Sequence, residues 1–225
     1  MTSIYQRVLG TDFTRLHPRI QERFGFCSAD GTAAIGTGTM EEVWHGPFWT
    51  MPFLQCGAWR NILVPKRGRE VPFTIENYAY VDGFGRETVT WIRTFSLERK
   101  HRFDATMIHS RQRDMIVDYL GTHQHLAVDI AMSIDDNGGL RLRSGEQRFY
   151  IGNVGFRFPR LFTGIADVHE WYDDEQSCFR ISVKVVNRTW GPLFGYHGSF
   201  QNRFIPCSAE TVPPHVKPLH ERRGE

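Results

Sequence analysis

The sequence predicts a mainly β, α+β chain: an antiparallel, closed or nearly closed lipocalin-like β-barrel with short N-terminal helices. Three observations carry this reading. From Val71 onward, strand-like runs are separated by the turn strings DGFG, RQR, DDNGG and DDEQ, of the kind that link hairpins. Leu126, Val128, Ile130, Met132 and Ile134 alternate strictly with Ala127, Asp129, Ala131, Ser133 and Asp135. That spacing gives one dry face and one wet face, as an antiparallel sheet requires. Finally, a sheet of about nine or ten strands has edges open to aggregation, and closure into a barrel removes them. The α/β alternation of a Rossmann or TIM fold is absent.

The elements follow in order. Ser3 is placed to cap a first helix, Ile4 and Val8 share its face, and Gly10 stops it. In LHPRIQERFG, Pro18 suits a first helical turn, Ile20 and Phe24 lie one turn apart, and Gly25 ends the helix. AAIGTGTMEEVWHG reads as a strand with bends. FWTMPFLQCGAWRN reads as a loop or short helix, with Pro52 interrupting the helical spacing. VPFTIENYAYV, RETVTWIRTFSL, RFDATMIHS, DMIVDYL, HQHLAVDIAMSI, GLRLRSGEQRFYI, IADVHEWY, SCFRISVKVV and LFGYHGSFQNRFI then read as strands. The tail SAETVPPHVKPLHERRGE, with its prolines and charges, reads as an irregular or mobile end. A single domain is expected over 1–225: helices in 1–26, barrel body in 27–206, irregular tail in 207–225.

The bulk chemistry narrows the function classes. The chain has 225 residues, 40% hydrophobic and 23% charged, with a net charge of only +2. This is an ordinary soluble balance, and it argues against a dedicated nucleic-acid binder. The N-terminus lacks an apolar signal core, and no apolar run approaches the ~18 residues of a membrane span. Cys27, Cys56, Cys178 and Cys207 form no CxxC pair, which excludes a compact zinc knuckle. The expectation is a cytoplasmic protein with reduced thiols and no membrane insertion.

Several short stretches carry candidate chemistry. GPLFGYHGSF is rich in glycine, but its spacing matches neither GxGxxG nor a P-loop. It reads as a bent strand that closes the barrel, with Tyr196 and His197 as pocket candidates. In TWIRTF, Trp91, Arg93 and Phe95 share a strand face. An arginine between aromatics suits a carboxylate or phosphate, though it could equally stack on the outer face. Glu76, Tyr78 and Tyr80 alternate on the preceding strand, and the hairpin could bring Glu76 beside Arg93. HQH sets His123 and His125 on one face with Asp129. That face lies opposite the apolar row, so a surface pair is expected and no metal site. His169 beside Trp171 is treated alike. Asp118, Asp129 and Glu170 are carboxylates that the sequence does not pair. No catalytic or cofactor motif occurs, so no cofactor is expected and an enzyme is not favoured. The aromatic run from Val43 to Phe53 reads as a flap over the barrel mouth or a packed plug, the plug being preferred.

SIYQRVLGTDFTRLHPRIQERFG near the start and GPLFGYHGSFQNRF near the end resemble the bacterial family known as domain of unknown function 4166. The resemblance covers nearly the whole chain. Members of that family occur alone or C-terminal to a saccharopine-dehydrogenase-like oxidoreductase domain, and it offers no catalytic residues to transfer. It implies an accessory domain. The function expected is non-catalytic binding of a small, partly apolar ligand, with an anionic group as one option, in the barrel by Glu76, Tyr78, Trp91, Arg93, Tyr196 and His197. The alternatives are an enzyme with an Arg/Glu/His-lined cavity, or an interaction module for an oxidoreductase partner.

Overall fold

The hairpin-rich sequence closes on itself. The computed structural model describes residues 2–151, 154–159, 161 and 163–222, of which residue 151 is described only in its backbone. Eleven strands are seen among them: β1 (Thr32–His45), β2 (Gly68–Val81), β3 (Glu87–Ser96), β4 (Lys100–Ser110), β5 (Met115–Leu120), β6 (Leu126–Ile134), β7 (Leu140–Ile151), β8 (Val154–Arg157), β9 (Ile165–Asp173), β10 (Cys178–Asn187) and β11 (Gly191–Pro206). Neighbours pair antiparallel from β1 through β7. Strand β7 then pairs with β9, β9 with β10, β10 with β11, and β11 returns to β1. Ten strands thus form a closed barrel, and β8 is a short addition to the end of β7. The predicted strand runs all become strands; β8 is an addition that their pattern did not signal.

Strand β11 is the bent, closing strand expected of GPLFGYHGSF. A Cβ at Gly195 would lie 2.3 Å from the Trp44 ring, and one at Gly198 would lie 2.3 Å from the Thr39 carbonyl oxygen. Glycine lets β1 and β11 approach where β1 carries a bulge between Met40 and Glu42.

Two short helices seal one end of the barrel. In α1 (Ile4–Leu9), Ser3 and Gln6 form a reciprocal cap: the Gln6 N–H donates to Ser3 Oγ at 3.1 Å, and the Ser3 N–H donates to Gln6 Oε1 at 3.0 Å. Helix α2 (Pro18–Gly25) begins with proline in its first turn. Its entry is tied to the β6–β7 turn, because the His17 N–H donates to the Gly138 carbonyl at 2.9 Å. Ile4, Tyr5, Ile20 and Phe24 from these helices join the main core with Phe73, Phe95 and Phe200 from the strands.

The opposite end is the mouth. It carries the β1–β2, β3–β4, β5–β6, β7–β9 and β10–β11 connections, as antiparallel alternation dictates. The first of these contains α3 (Met51–Ala58). Pro52 does not interrupt that helix as its position in the sequence suggested. It lies in the first turn, where a missing N–H leaves no bond unmade. The aromatic run is not a packed plug either. Phe48 is 79% exposed and Trp49 56% exposed, while Phe53 turns inward. The segment is a lid with an apolar underside.

The tail carries a short helical turn, Pro214–Val216, and is packed. Cys207, Val212 and Val216 cover Tyr78, Tyr80 and Ile92 on the outer wall. The last three residues of the predicted tail, and Met1, lie outside the described residues.

Candidate ligand cavity

Beneath the lid the barrel holds a cavity of about 310 Å³. Its upper wall comes from Phe53, Gly57, Leu63, Phe149 and Phe158, and its lower wall from Val128, Ile130, Leu142, Val168 and Val183. The strand period accounts for this lining. Val128 and Ile130 belong to the alternating row that predicted the fold, and they face inward as that alternation requires.

Besides Arg60 in the β1–β2 connection, four polar side chains interrupt the apolar wall: Arg93, Asp118, Ser144 and Gln147. Two of them serve the backbone. Ser144 Oγ accepts from the Ala166 N–H at 2.7 Å, and the Gln147 amide donates to the Gly164 carbonyl. These bonds stitch β7 to the chain entering β9, beyond the stretch where the two strands pair directly.

The other two, Arg93 and Asp118, are in no ion pair among the described residues. The Arg93 guanidinium lies flat on Phe103, 3.6 Å from the ring centroid, with Trp91 at 5.6 Å. Its Nε–H donates to the Phe103 carbonyl at 3.2 Å. Asp118 stands two strands away on β5, and its Oδ1 is buried without a hydrogen-bond partner. Burial pushes its carboxyl up to about 7, with the Arg93 charge pulling the other way. The two groups sense each other through space and form no direct ion pair.

Below the cavity floor the polar groups are paired, although Arg23 Nη2 and Glu170 Oε2 have no hydrogen-bond partner of their own. The Trp91 Nε1–H donates to the Tyr5 hydroxyl at 2.9 Å, and that hydroxyl points on to Met107 Sδ at 3.5 Å. Arg23 of α2 is paired with Glu170 of β9, both fully buried, and donates to Asn202 Oδ1 at 2.8 Å. Phe200 stacks under the Arg23 guanidinium at 4.8 Å.

The six residues expected to bind a ligand divide between two faces. Trp91 and Arg93 line the cavity. Tyr196 is inside too, but packed between Phe73 and Phe95, with its hydroxyl unpartnered. Burial raises its hydroxyl, and Arg93 opposes that shift. Glu76, Tyr78 and His197 lie on the outer wall. The β2–β3 register sets Ile75, not Glu76, opposite Arg93, so a one-residue offset carries Glu76 through the sheet. There Glu76 accepts from the Tyr78 hydroxyl at 3.0 Å. His197 stands 3.5 Å from Glu41 outside. Arg93, Glu76 and His197 therefore do not converge on one cavity.

The histidine stretches are structural. His123 and His125 stack at 5.7 Å, and His125 Nδ1 is 2.9 Å from the Tyr150 carbonyl. Asp129 is held by Arg113 and Arg148. His169 stacks on Trp171 and meets Asp135 at 2.6 Å.

Sequence reasoning left Asp118 unassigned. DMIVDYL is apolar on both of its faces, so its alternation does not say which side is the interior. The available signal was a carboxylate at Asp118 flanked two residues away by Ile116 and Leu120.

The model of the family described as "Domain of unknown function (DUF4166)" matches residues 16–200. The chain belongs to this family. It is 34% identical over 203 residues to the uncharacterized protein YndH of Bacillus subtilis strain 168, covering 89% of this chain and 97% of that protein. No solved structure matches it. The DUF4166 match contains Arg23, Trp91, Arg93, Asp118 and Glu170.

Proposed function

We propose that this DUF4166 chain is a non-catalytic binding protein that takes one small amphiphile into its barrel, in the manner of lipocalin-type barrels. The ligand's apolar body lies between the lid and the Val128–Ile130 wall. Its polar end, best a carboxylate, reaches Arg93 and Asp118. The single observation that carries this reading is a buried arginine and a buried carboxyl, with no ion pair between them, at the floor of an otherwise apolar cavity. Proteins do not leave such groups facing an empty dry space without cost. The volume is at the lower end of the ~300–1,000 Å³ typical of ligand pockets. A carboxylate ligand can take both Arg93 Nη groups while protonated Asp118 donates to it. A cytoplasmic setting belongs to the same proposal, supported by the four free cysteines.

The test is native mass spectrometry with added decanoic acid, decanol and decane. Wild-type protein is expected to retain one decanoate per chain, and Arg93→Met to lose at least about tenfold in affinity. Val168→Trp, which fills the cavity, is expected to retain none. Equal retention of decane and decanoate, or no retention of any of the three, would overturn the reading.

A further inference from the structure

The mouth end of the barrel differs from the rest of the surface in two independent ways. The first is apolar exposure. Ten large apolar side chains are exposed among the described residues. Seven of these stand at the mouth: Phe48, Trp49 and Trp59 around α3, Val154, Phe156 and Leu161 on and after β8, and Trp190 in the β10–β11 turn. Phe48, Trp49, Trp190 and Leu161 adjoin one after another around the rim. Phe48 meets Trp49 edge-on at 5.3 Å. Trp49 and Trp190 line one hollow with Phe53. The Trp190 Nε1–H donates to the Leu161 carbonyl at 2.9 Å. Exposed patches of this kind mark interaction sites.

The second difference is charge. Among the described residues, the mouth connections carry Arg60, Lys66, Arg67, Arg99, Arg157 and Arg188 against the single carboxylate Glu98. The turns at the helix-sealed end carry Asp82, Asp114, Asp135, Asp136, Asp174 and Glu175 against Arg86, Arg111 and Arg113. The charges of the turns are thus polarised along the barrel axis of a chain whose net charge is only +2. The cations are gathered beside the aromatics: Lys66, Arg67, Arg99, Lys100 and Arg102 line a cleft that Trp59 shares with the ligand cavity. His101 adds a buried Nε2 with no hydrogen-bond partner to the same cleft.

We infer that the mouth docks face-on to a bilayer containing anionic phospholipids. Trp49 and Trp59 would enter the headgroup boundary, where amphipathic rings are favoured, while the cleft cations meet lipid phosphates. A flat bilayer fits a rim of aromatics and cations spread over four separate connections, which no single groove unites. The acidic far end then faces away from an anionic surface. The docking inferred is peripheral. Docking does not require the cavity to bind anything. If the amphiphile reading above also holds, the orientation puts the cavity opening against the bilayer.

The test is flotation of the ligand-free full chain with vesicles of phosphatidylcholine alone, or with ~30% phosphatidylglycerol. Wild type is expected to float with the anionic vesicles, and to be released by high salt. Arg99→Glu/Lys100→Glu is expected to weaken binding about thirtyfold. Trp49→Ser/Trp59→Ser changes only exposed rings, so it is expected to keep the fold and lose binding by a similar factor. A second readout is a polarity-sensitive dye on Cys56, the exposed cysteine of α3. Its emission is expected to shift blue with anionic vesicles only. Absence of flotation, equal binding to both vesicle types, or a dimer that buries Trp49 and Trp59 in place of binding would each overturn the inference. Failure of decanoate retention with flotation intact would overturn only the ligand reading.

Discussion

The barrel interior contains two buried carboxylates that have been treated differently. Glu170, at the helix-sealed end, lies against Arg23, and Arg23 is itself held by Asn202 and the Phe200 ring. Asp118, at the cavity floor, faces a cation that it does not touch, and each of the two carboxylates keeps one oxygen without a hydrogen-bond partner. Burial raises both carboxyls. Only at Glu170 is the charge met by contact. The difference separates a packing device from a candidate site. Arg23 joins the N-terminal helices to the barrel wall, so its ion pair closes the structure. Asp118 and Arg93 leave a gap that a polar group from outside can occupy.

Breaking the Glu170 side of this comparison is expected to have the largest effect. Arg23→Met leaves a fully buried carboxylate unpaired, which costs about 3–5 kcal/mol. Urea unfolding at pH 8 should show that loss. At pH 5 the loss should shrink, because the orphaned carboxyl takes up a proton. The double variant Arg23→Met/Glu170→Gln is expected to recover most of the stability. If the single variant unfolds like wild type, the two carboxylates do not differ in the way argued.

The Asp118 side is read from the pH dependence of stability. Its folded pKa is raised to about 7, above the ~3.9 of an unfolded aspartate. The folded state therefore holds the extra proton. The stabilising contribution is fully present below pH ~4, falls as pH rises, and is gone above pH ~7. Asp118→Asn is expected to flatten that fall, worth on the order of 2–4 kcal/mol between pH 4 and pH 8. An unchanged slope in urea titrations would show that Asp118 is already paired when folded.

How much of this was legible in the sequence depended on each strand's two faces. In β6 one face is apolar and the other carries Asp129 and Ser133. Alternation therefore fixed both the strand and its inside. In β2, Tyr78 and Tyr80 face outward yet are buried, because the tail packs over them. A sequence window cannot show that a segment more than a hundred residues later will dry an outer wall. Glu76 was drawn toward Arg93 for the same reason: the aromatic row looked like an inner face. Trp91 and Arg93 were correctly grouped on one face, but their role beside Asp118 depends on a register spanning three strands. The buried pair Arg23–Glu170 joins positions 147 apart, with no local pattern to announce it.

The smallest effect is expected at the boundary between the two halves. Tyr5 of α1 accepts the Trp91 N–H, while the Trp91 ring lines the cavity. Tyr5 also packs edge-on against Phe24 at 5.0 Å. Tyr5→Phe keeps the ring and removes only the acceptor. In a dry interior the stranded indole N–H costs about 1–3 kcal/mol. The cavity floor is adjacent, however, and a water there would have Arg93, Asp118 and the indole N–H as partners, enough to hold it. With such a water the loss falls below about 1 kcal/mol. Thermal unfolding of Tyr5→Phe at pH 6, where Asp118 is mostly protonated, therefore reports on the cavity itself. A loss near the upper figure marks the floor as dry and sealed with the helix end. A loss near zero, restored to the upper figure in Tyr5→Phe/Val168→Trp, marks it as wet and continuous with the mouth. The amphiphile reading expects the second outcome, because a polar ligand head needs the place that this water would hold.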